Sequence, residues 1–239
     1  MYMLYLSFFT LIATAIGAIT GFGTSTLMIP VLVIFFPPVE AIFFVSIIHW
    51  FGNVWRVGLF RSGLNWRLFV LFGGAGLVTS YLGAYMSLGV NERFFMMILG
   101  VFLMGYSLFL VGQSQFKIPT VDLTAVSGGA LSGFFAGMFG MGGAIRSLFL
   151  VAYDLPKAMY IATGGAIGLL VDSTRIVTYV AGGATLPRGL WYGLLVCIPI
   201  SFVGTQIAKR IVGKIPQNQF RMVVSVFLFM VGLKLVLWP

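Results

Sequence analysis

The sequence predicts an all-α polytopic membrane protein built from two homologous halves. Three observations carry that expectation. The 239 residues are 60% hydrophobic and only 8% charged, whereas a soluble domain carries roughly 25% charged residues. Uncharged runs cover 1–39, 68–91, 94–116, 123–145 and 189–208, each near or above the roughly 20 residues that cross a bilayer as a helix. Each half also opens on an apolar segment interrupted by glycines, Gly17 to Ser25 in the first and Gly133 to Gly143 in the second. The ten-residue alternation of a membrane β-barrel is absent.

The elements follow in order. In the first half, residues 1–112, the apolar periodicity predicts segments over about 4–36, broken near Gly21–Thr24, then 39–60, 68–89 and 94–112. Residues 113–123 form a polar connector. The second half, 124–239, predicts about 124–153, broken near Gly140–Gly143, then 157–181, 189–212 and 219–238. The halves match weakly but in order. Gly21-Phe22-Gly23 aligns with Gly140-Met141-Gly142, and Pro38-Val39-Glu40-Ala41 with Leu155-Pro156-Lys157-Ala158. Arg56 falls opposite Arg175, Asn91-Glu92-Arg93-Phe94 opposite Gln217-Asn218-Gln219-Phe220, and Val101-Phe102-Leu103 opposite Val226-Phe227-Leu228.

Charge placement bears on orientation. Arg56, Arg61 and Arg67 surround the loop after the second segment, and Lys209, Arg210, Lys214 and Arg221 surround the loop after the seventh. Basic loops stay cytoplasmic. If both are inside, the halves are inverted repeats, each with an odd number of full crossings, and both termini face outward. Each broken first segment is then a hairpin entering and leaving on one side. The alternative is a broken spanning helix in each of two parallel repeats. Arg175 and Arg188 lie on the side that the inverted arrangement leaves outside. The first basic residue is Arg56, so the opening segment reads as mature chain rather than a signal peptide, which needs a basic start.

The breaks are where chemistry is expected. Lipid cannot satisfy backbone groups freed by a helix interruption, so breaks are buried in protein or line a watery cavity. Paired breaks at matching places in two halves point to a transporter's binding site. Helices restarting near Thr24–Thr26 and Gly142–Ala144 would present amide hydrogens and partial positive charge to an anion. The candidate substrate-binding set at the breaks is Gly21, Gly23, Thr24, Ser25, Thr26, Gly140, Gly142 and Gly143. Close helix packing is the competing role for such glycines.

Ionisable groups in the following helices extend the set. His49, Asn53 and Arg56 are spaced i, i+4, i+7 and share a face. Their counterparts are Asp172 and Arg175, with Asn53 aligned to Asp172 and Arg56 to Arg175. Ionisable residues inside membrane helices are costly and face a bundle interior or cavity. Asn53, Arg56, Arg146 and Arg175 complete the anion-binding candidates. His49 and Asp172 are the proton-coupling candidates, His49 because its titration range suits that role. Each has a plainer alternative: a local Asp172–Arg175 pair, an interfacial anchor for Arg56, a hydrogen-bonded core histidine, and pairing of Arg146 with Asp172 or Asp154. Leu27 stands where the second half has Arg146, so the half-sites differ. Glu40 and Lys157, at matched positions after prolines, read as turn residues, and the tryptophans as interface anchors.

Several classes are disfavoured. The formal net charge is +9, yet no basic tail or soluble basic domain exists to bind nucleic acid. Cys197 is the only cysteine, so an internal disulfide or a cysteine metal cluster is not available. No cofactor or metal is expected, and no nucleotide-binding sequence is present, so transport would draw on an ion, potential or substrate gradient. An intramembrane hydrolase would need Ser25 as nucleophile and His49 as base, and no nucleophile motif surrounds Ser25. A passive anion channel on the same fold is the closer alternative to a carrier. Glycine-rich faces can pack between protomers as well as within one, which makes an oligomer compatible with the sequence.

With these features assembled, the chain resembles the TauE/SafE family of membrane transport proteins, also called sulfite exporter proteins. The resemblance spans nearly the whole chain. It rests on Gly21-Phe22-Gly23 with Pro30 and on Gly137-Met138-Phe139-Gly140-Met141-Gly142-Gly143. It implies a non-enzymatic transporter of small anions such as sulfite, sulfonates or related organic acids, in a bacterial or archaeal inner (plasma) membrane, with lipid and a small anion as its partners. Thr24-Ser25-Thr26 replace the fuller glycine run usual in the first half, no proline in the second half matches Pro30, and Arg146 lies near the second break. These departures leave the substrate open.

Overall fold

The computed structural model describes residues 2–20, 23–60, 63–112, 118–211 and 217–239. It is 85% helical, with no strand among the described residues. The described residues form ten helices in order: α1 (Tyr2–Thr20), α2 (Ser25–Leu32), α3 (Pro38–Leu59), α4 (Trp66–Leu88), α5 (Glu92–Gly112), α6 (Asp122–Phe139), α7 (Gly142–Val151), α8 (Lys157–Ala181), α9 (Arg188–Ile211) and α10 (Gln217–Leu237). Both interruptions expected from the glycines are present, and the remaining segments lie within three residues of their expected ends. α3, α4, α5 and α9 are long and apolar enough to cross a membrane on composition alone. α8 has the length, but Lys157, Asp172 and Arg175 lower its apolar character. Large apolar side chains such as Leu4, Phe35, Leu123 and Leu195 are more than two-thirds exposed, which suits a lipid-facing surface.

Local sequence sets the ends. Proline opens α3 at Pro38, where its missing N–H is no loss and its fixed φ suits a first turn. Asn65 caps α4 by accepting the Leu68 amide at 3.0 Å. α6 stops at Gly140, whose φ of +71° is the left-handed conformation that glycine adopts without a Cβ penalty.

Past Gly140 the chain reverses. Ser132 Oγ donates to the Gly142 carbonyl at 2.8 Å, a Cβ built on Gly128 would meet the Phe149 ring, and Tyr153 Oη donates to the Val121 carbonyl at 2.9 Å. α7 therefore runs back along α6, and the segment forms a hairpin whose two ends meet. The long arm of 18 residues spans about 27 Å and the short arm of 10 about 15 Å. At the first break, the Gly23 amide donates to the Gly17 carbonyl at 3.2 Å, a bond that closes the end of α1.

The α6 arm lies in parallel against α4. Phe72 meets Gly129, Gly76 meets Gly133 and Ser80 meets Gly137 on successive turns. A Cβ on Gly133 would fall 2.5 Å from Gly76 Cα, and one on Gly137 would fall 2.7 Å from the Ala84 nitrogen, closer than carbon approaches such atoms. The hydrogens of glycine let the two backbones touch, which is how helices associate where lipid removes the hydrophobic drive. Thr79 Oγ1 adds a bond to the Ala130 carbonyl at 2.7 Å. α1 lies in parallel on α9 in the corresponding way, with Leu6 near Gly193, Thr10 bonded to Cys197 Sγ at 3.3 Å, and Thr14 near Gly204.

Two further pairs are antiparallel. Along α3 and α8, Trp50 meets Ser173, Asn53 meets Gly168, and Arg56 meets Gly165. Along α5 and α10, Gly100 faces Leu235 and Val236 while Gly232 faces Leu103 and Met104. The main core lies between these pairs and includes Met28, Ile42, Phe44, Leu99 and Leu103, all fully buried. The broken segments thus end beside the α3–α8 crossing.

Candidate functional site

The α3–α8 crossing brings together the polar residues singled out above. His49, Asn53 and Arg56 on α3, Asp172 and Arg175 on α8, and Arg146 on α7 are all buried, none more than 4% exposed. Their helical spacing aims each set inward from its own helix, and the antiparallel crossing sets the two sets face to face.

Asp172 is the hub. Its Oδ1 accepts from Arg175 Nη2 at 2.9 Å, and its Oδ2 accepts from Asn53 Nδ2 at 2.9 Å and from His49 Nδ1 at 2.6 Å. The local Asp172–Arg175 pair is therefore present, and it is one edge of a larger network. Arg56 Nη1 donates to Asn53 Oδ1 at 3.3 Å, and Arg175 Nη1 to the Ala136 carbonyl at 2.8 Å. The latter contact ties α8 to the end of the α6 arm.

The breaks touch this network. A Cβ on Gly23, whose φ is +87°, would lie 2.5 Å from His49 Nε2, and one on Gly140 would lie 2.9 Å from Arg175 Nη1. Each glycine turn thus lets backbone approach a buried polar side chain where any larger residue would collide. Thr24, Ser25 and Thr26 are buried at the start of α2. Gly142 and Gly143 open α7, with the Gly142 α-carbon pressed against Ser132 and Ala136 of α6, so its contact is with the hairpin's other arm. Gly21 lies outside the described residues.

Charge is unbalanced here. Three guanidinium groups, Arg56, Arg146 and Arg175, surround one carboxylate. Arg56 Nε and Nη2, Arg146 Nη2 and Arg175 Nε are buried without a hydrogen-bond partner, as are His49 Nε2, Thr24 Oγ1 and Ser25 Oγ. Buried unpaired charge is costly, and the unmet groups are dominated by donors. Arg56 and Arg146 share a pocket of about 10 Å³, also lined by Ser147, Tyr160, Gly164 and Gly165. That is room for about one water molecule. Arg56 is 4% exposed, packed inside the protein at the last turn of α3. Arg146 faces Arg56 across this pocket rather than a carboxylate at the membrane edge.

Some contributors were not evident in the sequence. Gly168 stands where the first half has His49, at the offset that relates Asn53 to Asp172, and a Cβ there would collide with the Asn53 amide. The repeat alignment held that signal. Tyr160, Ser147, Gly164 and Gly165 carried none, because their place depends on which helices adjoin. Among the described residues no group of three His, Cys, Asp or Glu side chains is placed to hold a metal ion.

Comparison with known proteins agrees with this architecture. The description "Sulfite exporter TauE/SafE" belongs to the family profile that matches residues 6–235. A probable membrane transporter protein of Methanocaldococcus jannaschii, MJ0441, is 23% identical over 252 aligned positions, covering 93% of this chain and 91% of the relative. No solved structure matches the chain. The polytopic helical bundle, the paired glycine breaks and the near full-length profile match have one conclusion: the chain belongs to the sulfite exporter TauE/SafE family of multi-pass membrane transporters.

Proposed function

We propose that this transporter is a secondary carrier of a small anion, an oxyanion, organosulfonate or carboxylate, working by alternating access. The observation that carries the reading is the pocket in which Arg56 and Arg146 converge with unpaired donors and no carboxylate between them. Like charges held together in a low dielectric repel strongly, and an anion with several acceptor atoms relieves both the repulsion and the unmet donors. The starts of α2 and α7 add partial positive charge nearby.

His49 is the proton-coupling candidate. Its Nδ1 is engaged with Asp172, which leaves Nε2 as the atom that gains or loses a proton. Protonation there would add positive charge beside Arg175 and favour the anion-loaded state. An intramembrane hydrolase finds less support, because His49 Nε2 and Ser25 Oγ are each without a partner and so are not bonded to one another.

The two halves, 1–112 and 124–239, are proposed to be inverted repeats joined by 113–123. Support comes from the antiparallel pairings of the corresponding helices α3 with α8 and α5 with α10, as a two-fold axis in the membrane plane requires. The hairpin form of α6–α7 gives that half three full crossings. The Arg67–Asp122 ion pair at 2.8 Å places the starts of α4 and α6 on one side, together with the basic loop after α3.

Uptake of radiolabelled sulfite, methanesulfonate and acetate into proteoliposomes tests the carrier. Trans-stimulated exchange of at least one anion is expected, together with its loss in Arg146→Gln and Arg175→Gln variants that retain their fold. Unchanged uptake in both variants rejects the arginine site. Large unitary currents without exchange favour the channel.

A further inference from the structure

We propose that Gly164 is the size filter of the anion site, a reading that rests on the Arg56–Arg146 pocket being where the anion sits. Gly164 is the eighth residue of α8 and lies on the pocket wall opposite α7. A Cβ built there would lie 3.6 Å from Leu150 Cδ1 and 3.9 Å from Arg146 Nε. Both are ordinary van der Waals distances. The position therefore accepts a methyl group without strain, and the conformation of α8 does not demand glycine there.

A glycine in the interior of a helix weakens it relative to alanine. The neighbouring glycines are confined by contact: a Cβ on Gly168 would collide with the Asn53 amide, and one on Gly165 would press on the Arg56 side chain. Gly164 differs, because the space above its α-carbon is the pocket itself. A methyl there would take the little room beside the Arg146 guanidinium while leaving every charge in place. Leu150, whose Cδ1 would lie 3.6 Å from a Cβ at position 164, lines the pocket opposite Gly164, so the gap at this point is the one between Gly164 and Leu150. Tyr160, whose side chain is hydrogen-bonded to Ser147, closes the same pocket one helical turn earlier on α8 and supplies a neutral hydroxyl at its edge. The pocket as it stands holds about one water molecule, so a compact anion enters only when the α7 and α8 walls part, and a methyl group at position 164 adds to the separation required.

The test is the concentration-dependent rise in Tm of purified protein with chloride, sulfite, methanesulfonate and 2-hydroxyethanesulfonate at constant ionic strength. Gly164→Ala is expected to melt at or above the wild-type temperature without anion. It should lose about tenfold or more in apparent affinity for the oxyanions, the scale on which pockets discriminate a methyl-sized change, with a smaller loss for chloride. Leu150→Ala should shift preference toward the larger sulfonates, and Gly164→Ala/Leu150→Ala should recover oxyanion binding. The inference is overturned if Gly164→Ala binds the oxyanions as the wild type does while Arg146→Gln does not. It is also overturned if the double variant fails to recover while keeping its fold. Absence of any anion response in the wild type refutes the anion site itself, and the filter with it.

Discussion

Replacing Asp172 by asparagine should separate the stability of the site from its affinity for anions, and should drive them in opposite directions. The carboxylate accepts from Arg175 Nη2, Asn53 Nδ2 and His49 Nδ1 at 2.9, 2.9 and 2.6 Å, and it is 2% exposed. An amide of the same size keeps one acceptor oxygen and turns an NH2 group toward donors. Removing one partner of a buried ion pair costs about 3–5 kcal/mol, chiefly through the charge left unpaired. For a chain of this length each kcal/mol moves Tm by about 2–4 °C, so the variant should melt about 6–20 °C below wild type without ligand. Its three guanidinium groups then lack any internal counter-charge, and an added oxyanion has more to neutralise. At equal sulfite concentration the Tm rise should therefore exceed that of wild type. Differential scanning fluorimetry in detergent, with and without sulfite, reads both effects. A variant melting within 2 °C of wild type with the same sulfite response would refute the view that Asp172 is the counter-charge of this cluster.

Three other outcomes follow from the geometry. Gly133→Val should lower Tm by about 2–12 °C or abolish folding, because overpacking costs about 1–3 kcal/mol, occasionally more, and the added carbons fall on Gly76 backbone; Gly105→Val, where nothing lies near, is the control in the same melting assay. Gly140→Ala should cost at least about 1–2 kcal/mol for a left-handed residue with a Cβ, because that Cβ would also collide with the Ile29 side chain, and should reduce anion affinity as well, since it would press on Arg175; melting and titration of the same preparation check both. A cysteine at position 2 or 238, in a Cys197→Ser background, should react from outside with a membrane-impermeant maleimide, and one at Lys209 only after permeabilisation. The reverse pattern contradicts the outward termini and, with them, the inverted arrangement.

Much of the fold was legible because hydropathy, glycine and proline act locally. Lipid penalises every unpaired polar backbone group, so the long apolar runs had to be helical, and Pro38 and Gly140 had only a few roles open to them. The ends of α8 could be read to the residue for the same reason. The spacing of His49, Asn53 and Arg56 also fixed a shared face without knowledge of what it faced. The hairpin was harder to read, since a break by itself does not say whether the chain continues or returns. That was settled for α6–α7 by contacts such as Tyr153 with Val121. The surroundings of Arg56 were hidden for a similar reason: its distance from the end of α3 suited an anchor, and the close approach of α8 and α7 buries it.

Local composition is enough to specify a membrane-embedded helical bundle with paired interruptions and a few ionisable groups placed deep within it. These are consequences of what each segment can satisfy internally. That Asp172 receives side chains from both halves, that Arg146 meets Arg56 across a pocket, and that Gly164 leaves space there emerge from the packing of the helices. Those facts depend on the register of helices distant in sequence, which steric fit between whole surfaces selects and no local pattern encodes.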